Sequence, residues 1–186
     1  MRDFEYAFET IARNLTAPPQ KKSGARLYMP YSAGHIAQTP TTTFDIDILH
    51  TRTERIAKLL DFPLITHKHV DHYSPAPVRS MGDKPVVSNF VENKFKQNSD
   101  TQKYKFGNID ITATLVRHGS KLPKFNTTFE ICRLDTAEKI KILHAGDAGK
   151  FGQIKPPARP DVFMPHVSVG LDKKSARRKQ SNRSLF

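Results

Sequence analysis

Residues 64–75 have the sequence LITHKHVDHYSP, and this stretch decides the fold of the 186-residue chain. A short apolar run, typical of a buried strand, leads into a turn rich in imidazole and carboxylate. Because alternate side chains of an extended backbone lie on the same side, His67 and His69 can bind one cation. Asp71 and His72 follow on the turn and can reach a second cation. Neutral imidazole and carboxylate suit zinc, iron or manganese, so the stretch predicts a metal site.

On the N-terminal side of this stretch, apolar residues at helical spacing predict a helix from Phe4 to Leu15. Residues 16–43 are rich in Pro, Thr, Ser and Gly, which predicts a loop with one short strand around Ala25–Met29. Phe44–Ile48 alternates apolar and acidic residues, the pattern of a half-buried strand. Thr51-Arg-Thr-Glu54 has the spacing of a capping box and predicts a helix that ends before Pro63.

On the C-terminal side, Ser74-Pro75 is typical of a helix start, with Pro at the first helical position. Pro85–Val87 then predicts a strand and Asn89–Gln97 a helix. Gly107-Asn108 is a tight-turn dipeptide that joins two of the strands predicted further along. Those strands are Lys103–Phe106, Ile109–Val116, Thr127–Leu134, Lys139–His144 and Asp161–Val167. The pattern favours a mixed α/β fold with at least one largely antiparallel sheet.

Two later segments extend the pattern of the His-rich stretch. Val116-Arg117-His118-Gly119 places a histidine at the end of a predicted strand. Ile142–Gly149 places the dipeptide Gly146-Asp147 after another strand. With the His-x-His-x-Asp-His loop after a short apolar strand, the order and spacing of these segments resemble the metallo-β-lactamase superfamily. The resemblance covers roughly residues 44–170 and implies an α/β fold, the αββα sandwich of that family, in an incomplete form.

The resemblance also implies a role for each matching residue. It implies six metal ligands: His67, His69 and His118 for one ion, Asp71 and His72 for the other, and Asp147 between the two. The implied cofactors are two divalent metal ions, with zinc expected and manganese or iron as alternatives. Such ions lower the pKa of water, which then attacks a carbonyl or phosphoryl centre. Asp71 is also the candidate catalytic residue that orients this water or takes its proton.

Two regions depart from the family pattern. Family members begin with a glycine-containing hairpin that ends in an Asp supporting the metal loop, whereas residues 16–43 are short and Pro/Thr-rich; Asp45 or Asp47 is expected to replace that Asp. The family's final ligand is a histidine late in the domain, and His166 is the one candidate after Asp147. His144 is predicted to have a core or supporting role. These departures predict a chain that is truncated at both ends.

Charge and composition set further expectations. The net charge is +12, and six of the cations lie in residues 171–186, which we expect to be a disordered basic tail. We expect residues 1–43 to form an N-terminal helix and loop, and 44–170 the core. The single cysteine, Cys132, excludes an internal disulfide, suits a reducing compartment and is predicted to be a small buried side chain. We expect neither a signal peptide at the start nor a membrane span, which predicts a cytoplasmic protein.

Three functions remain open from the sequence. The first is a metal-dependent hydrolase of an ester, lactone or phosphodiester in a small-molecule or nucleotide substrate. The second is a nuclease or phosphodiesterase of the same fold acting on nucleic acid, which the net charge favours. Aromatic residues interleaved with lysines at Phe90–Lys96 and Lys103–Phe106 are its candidate base-stacking residues. The third is a catalytically impaired, truncated metal-binding remnant.

Overall fold

The computed structural model describes the chain in eight segments: residues 2–17, 25–30, 34–48, 53–118, 122–133, 139–149, 151–154 and 159–165. The α-helices are α1 (Arg2–Thr16), α2 (Glu54–Ala57) and α3 (Pro75–Ser80). The strands are β1 (Arg26–Tyr28), β2 (His35–Gln38), β3 (Thr43–Ile46), β4 (Phe62–Leu64), β5 (Thr101–Phe106), β6 (Ile109–His118), β7 (Leu122–Arg133), β8 (Lys141–His144) and β9 (Val162–Met164). A 3₁₀ helix covers Phe151–Gln153. His166 and the predicted basic tail lie outside the described residues.

The first sheet has the strand order β1-β2-β3-β4, with β3 and β4 parallel and the other pairs antiparallel. The short strand predicted around Ala25–Met29 is confirmed as β1, but the prediction of loop for the rest of residues 16–43 is wrong at β2. Strands β2 and β3 form the hairpin that the sequence was expected to lack. Short strands broken by Pro and Thr give little periodic signal, which explains why the hairpin was missed.

The second sheet has the strand order β5-β6-β7-β8-β9. The predicted hairpin at Gly107-Asn108 is confirmed, with β5 and β6 antiparallel and Gly107 at a φ of +56°. The antiparallel pair β7 and β8 is confirmed as well, and β9 adds to β8 in parallel. Together the two sheets confirm the predicted mixed α/β fold with a largely antiparallel sheet.

The main core fills the space between the two sheets. Phe44 and Phe62 of the first sheet stack with ring centroids 5.2 Å apart, and Phe62 stacks at 4.3 Å on Phe106 of the second sheet. Ile111 and Phe129 close the same core from β6 and β7. Each such side chain contributes about 1.5–3 kcal/mol when it is fully buried.

A second core covers the outer face of the first sheet. Ile11 and Leu15 of α1 pack there with Ile56 of α2 and with Ile36 of β2. The predicted amphipathic helix at the N-terminus is thus confirmed, and its apolar face is buried. In the described part of the chain, no α-helix lies on the outer face of the second sheet.

Four local predictions require correction. Residues 89–97 form turns rather than a helix, because Ser88 Oγ accepts from Val91 N and Asn93 Oδ1 accepts from Phe95 N, at 2.8 and 2.7 Å. Such side-chain bonds compete with helical ones. Residues 85–87 form a single bridge to Leu64 instead of a strand.

The remaining corrections concern the start of α2 and the burial of Cys132. Helix α2 begins at Glu54 with Thr53 as its N-cap residue and without a side-chain cap hydrogen bond; Thr51 lies outside the described residues. Helix α3 begins as predicted, with Pro75 in its first turn after Ser74. Cys132 is only half-buried, because it lies on β7 where the sheet's outer face has no described helix.

One glycine fixes the turn after β8. Gly146 has a φ of +49°, and a Cβ there would lie 2.4 Å from Asn126 Oδ1 and 2.9 Å from Thr66 Cβ. Gly107 has a similar φ of +56°, but a Cβ at that position would have no atom within 4 Å. The two glycines thus share a backbone conformation and differ in the space around them.

We expect Gly146→Ala to lower the free energy of unfolding by about 2–4 kcal/mol, since it adds a steric clash to backbone strain. Gly107→Ala is the matched control and should cost about 1–2 kcal/mol, from the left-handed backbone alone. Urea denaturation followed by circular dichroism measures both. Equal losses for the two variants would contradict the close packing at residue 146.

Candidate metal centre

Three loops at the ends of buried strands converge on one place. The chain leaves β4 at Leu64 and turns through His67–His72, His118 ends β6, and Asp147 follows β8. A bridge between His118 and Ala148 and a hydrogen bond from Gly149 N to Arg117 O, 2.9 Å long, hold the second and third loops together. The order of strands therefore brings together residues that are 80 positions apart in the sequence.

The first donor group contains His67, His69, His118 and Asp147, and one ligand atom of each lies within 4.8 Å of the others. His67 Nε2 lies 3.0 Å from His69 Nδ1, and Asp147 Oδ2 lies 3.1 Å from His118 Nε2. Asp147 Oδ2 is also 3.7 Å from His67 Nε2. Three imidazole nitrogens and one carboxylate oxygen thus surround a common point.

The second donor group lies on the other side of Asp147. His72 Nε2 is 3.5 Å from Asp147 Oδ1 and 3.6 Å from Asp71 Oδ2. The Asp71 side chain is 65% exposed and lies outside the four-residue group, whereas His72 is buried. Asp147 therefore presents one oxygen to each donor group, and the structure brings all six predicted residues into one cluster.

The separations between donor atoms fit small divalent cations. Zinc bonds of about 2.0–2.1 Å to histidine place the ligands of a tetrahedral ion about 3.3 Å apart. The measured separations of 3.0 to 3.7 Å lie on both sides of that value. A donor set of neutral imidazoles and carboxylates is one that zinc, iron and manganese accept.

The buried side chain of Asp47 fixes the orientation of the loop His67–His72, called the metal loop below. Its carboxylate accepts three hydrogen bonds: from Thr66 N at 2.7 Å, from Thr66 Oγ1 at 2.6 Å and from His72 Nδ1 at 2.9 Å. The residue is fully buried and has a φ of +57°, a region that Asp tolerates better than most residues. The sequence predicted that Asp45 or Asp47 supports the loop, and the contacts select Asp47.

These bonds determine which nitrogen of each imidazole carries hydrogen. The Thr66 hydroxyl has one hydrogen and gives it to Asp47, so its oxygen accepts from His67 Nδ1, 2.9 Å away. His72 Nδ1 donates directly to Asp47. In the neutral form of both rings the Nε2 lone pair therefore faces the donor groups, as ligation requires.

Burial and nearby charges shift the pKa values in the cluster. Burial, reinforced by the charge of His72, lowers the pKa of His67 to about 3, so this imidazole is neutral near pH 7. Burial acts in the same direction on His72, but the hydrogen bond and charge of Asp47 outweigh it and raise its pKa. Burial would raise the pKa of Asp47, yet its bond to His72 lowers it. The negative charge of the carboxylates around His72 is what a bound cation would balance.

Sequence analysis missed two residues that shape the cluster. The Phe125 ring lies 5.1 Å from the His69 ring and 5.6 Å from those of His67 and His118. Asn126 Oδ1 accepts from Asp147 N at 2.9 Å, and Asn126 Nδ2 donates to Ala145 O at 3.0 Å. Both residues lie on β7. Their place beside the cluster depends on how β7 packs in the fold, which the sequence pattern does not show.

His144 lies outside the four-residue donor group. It is buried on β8, its Nδ1 accepts from Gly146 N at 3.1 Å, and its ring packs edge-on against His35 at 5.2 Å. Its observed contacts therefore support the turn that carries Asp147. His166, the predicted final ligand, cannot be placed because it lies outside the described residues. No helix among the described residues has the length and apolar character that crossing a bilayer requires.

Several solved structures resemble this fold. BJP-1, a subclass B3 metallo-β-lactamase of Bradyrhizobium japonicum, has a TM-score of 0.52 and 16% identity over 92% of this chain and 84% of its own. Igni18, a metallo hydrolase from the archaeon Ignicoccus hospitalis, has a TM-score of 0.52 and 19% identity over 69% of this chain and 63% of its own. At such identities, the likeness shows the fold alone.

Coverage and sequence comparison complete the assignment. The chain spans 65%, 62% and 60% of the length of three further similar structures. Comparison with curated proteins gave no significant match. The family described as "Beta-lactamase superfamily domain" matches residues 21–180, most of the chain. The chain therefore belongs to the beta-lactamase superfamily domain family and has the metallo-β-lactamase fold.

Proposed function

We propose that this protein is a metal-dependent hydrolase that binds two divalent cations. The observation that carries the proposal is the position of Asp147, whose two oxygens face two separate groups of donors. One ion would be held by His67, His69 and His118, the other by Asp71 and His72, with Asp147 shared. Membership of the family and the chemistry of these donors support the same function.

Different residues of the cluster would have different roles in hydrolysis. Cations held in such a site supply an activated water and neutralise charge that develops on the attacked group. Thr66 and Asp47 keep the Nε2 atoms of His67 and His72 directed at the cluster. Asp71 is the most exposed carboxylate of the cluster, so we assign it the orientation of the attacking water and the acceptance of its proton.

We propose zinc as the metal and an ester, lactone or phosphodiester of a small molecule or nucleotide as the substrate. Zinc is favoured because imidazole predominates among the donors, with manganese and iron as alternatives. A cytoplasmic location is proposed from the single cysteine, which suits a reducing compartment.

Nucleic acid is the second candidate substrate, and the net charge of +12 favours it. The aromatic residues proposed for base stacking argue against it. Phe95, Tyr104 and Phe106 pack against the core between the sheets, and Phe90 packs against the second core. Their rings are therefore largely used for folding rather than for stacking on bases.

The first test of the proposed function is metal content together with hydrolysis. The purified protein should carry close to two metal ions per chain and hydrolyse bis(p-nitrophenyl) phosphate. Removal of the metal with a chelator should abolish the reaction, and zinc or manganese should restore it, because no side chain of the cluster is assigned as nucleophile. Retention of metal without activity towards esters, lactones or phosphodiesters would favour the impaired remnant.

The second test concerns Asp47. Asp47→Asn keeps the size of the side chain and its tolerance for a positive φ, but removes the charge that fixes Thr66 and His72. We expect metal affinity to fall by about 10- to 100-fold with the fold retained, as for other residues that orient metal ligands. The matched control is Asp61→Asn, since Asp61 is an exposed carboxylate that accepts from Thr43 N and lies outside the cluster. Competition with a chromogenic chelator measures both affinities.

The third test separates the two substrate classes. If nucleic acid is the substrate, affinity for a single-stranded oligonucleotide should fall at least about tenfold between about 50 and 200 mM salt, because phosphate contacts release counterions. Fluorescence anisotropy of a labelled oligonucleotide measures this. Failure to bind at the lower salt concentration would remove the nucleic-acid alternative.

A further inference from the structure

A cleft of about 300 Å³ lies beside the donor cluster. Its walls include Lys68, Phe90, Leu115 and Phe125. Phe125 joins the cleft to the cluster, because its ring also contacts all three imidazoles of the first donor group. The volume is at the lower limit for small-molecule sites in proteins. The cleft and the cluster are therefore neighbours that share the Phe125 side chain.

The cleft contains one lysine that is already neutralised and one that is not. Lys124 Nζ forms an ion pair with Asp100, 2.7 Å from Oδ1 and 2.8 Å from Oδ2. Lys68 Nζ lies 5.9 Å from the centroid of the Phe125 ring, and none of the described carboxylates forms an ion pair with it. The Lys68 side chain is exposed, whereas its neighbour His67 is buried. The cleft therefore has a net positive charge, supplied by Lys68.

The main polar donors of the cleft are used by the protein itself. Gln97 Nε2 donates to Ala113 O at 3.2 Å, and Gln97 Oε1 accepts from Thr127 Oγ1 at 3.0 Å. Asn89 Nδ2 donates to Phe125 O at 3.1 Å. Lys68 is thus the donor in this cleft that can be directed at a ligand without breaking a described hydrogen bond or ion pair.

We propose that this cleft is the subsite for an anionic group of a small substrate, a carboxylate or a phosphate, and that Lys68 recognises it. The substrate class would then be small acids whose scissile bond lies at the cluster while the anionic group lies between Lys68 and the Phe125 ring. This inference rests on the proposed function. A long nucleic acid would require a row of cations, whereas the cleft offers one lysine outside an ion pair, Lys68.

The test is calorimetric titration of the full-length protein, as purified, with three probes of similar length. Glutarate and 3-phosphonopropionate each carry two anionic groups, and glutaramide is the neutral control. Wild-type protein should bind the anionic probes, and the tighter of the two identifies the group. Lys68→Gln should weaken that binding about tenfold, the size expected for one charge-assisted hydrogen bond. Lys68→Arg should retain it.

The matched control is Lys103→Gln, which removes an exposed lysine of β5 outside the cleft and should leave binding unchanged. Equal binding to Lys68→Gln and Lys103→Gln would overturn the proposal, since it would place the anion on the metals or on general surface charge. Absence of binding to wild-type protein at millimolar concentrations, or equal binding of glutaramide, would overturn it too. Because no turnover is needed, the result stands apart from the hydrolysis assay that tests the proposed function.

Discussion

The arrangement of the site depends on one buried carboxylate. Asp47 accepts from the backbone and hydroxyl of Thr66 and from the ring of His72. A buried charge of this kind costs several kcal/mol unless it is fully paired, and here three donors meet it. The hydroxyl of Thr66, held by Asp47, in turn accepts a hydrogen bond from His67 Nδ1 and so orients that ring. One carboxylate therefore sets the orientation of a buried imidazole in each donor group.

The two sheets contribute different parts of the site, and a few bonds join them. The first sheet supplies Asp47 and the loop after β4, while the second supplies His118 and Asp147. Thr127 N donates to Thr66 O at 2.9 Å, a direct link between β7 and the metal loop. Gly146 packs against Asn126 and Thr66 at the same point. The donor geometry therefore depends on the packing of the sandwich and not on the loop alone.

The features that were predicted correctly are those that depend on short stretches of sequence. The order of the His-rich loop, His118 and Asp147 follows from residues within short windows, and so do the helix α1 and the hairpin at Gly107-Asn108. The β2–β3 hairpin was missed because β2 has only four residues, too few for a clear period, although the strand at β3 was predicted. The alternation at Phe44–Ile48 suggested a half-buried strand, but Asp45 and Asp47 are both fully buried. The contact of Phe125 with Lys68 depends on the packing of β7 against the metal loop, which no single window contains.

Adjacent positions of the metal loop face opposite environments. His67 and His72 are buried against the scaffold, while Lys68 and Val70 point outward, Val70 with 83% of its surface exposed. Replacing an outward side chain leaves the scaffold and the donor nitrogens untouched. Substitutions at these outward positions can therefore change which substrate the loop binds while the metal-binding residues stay the same.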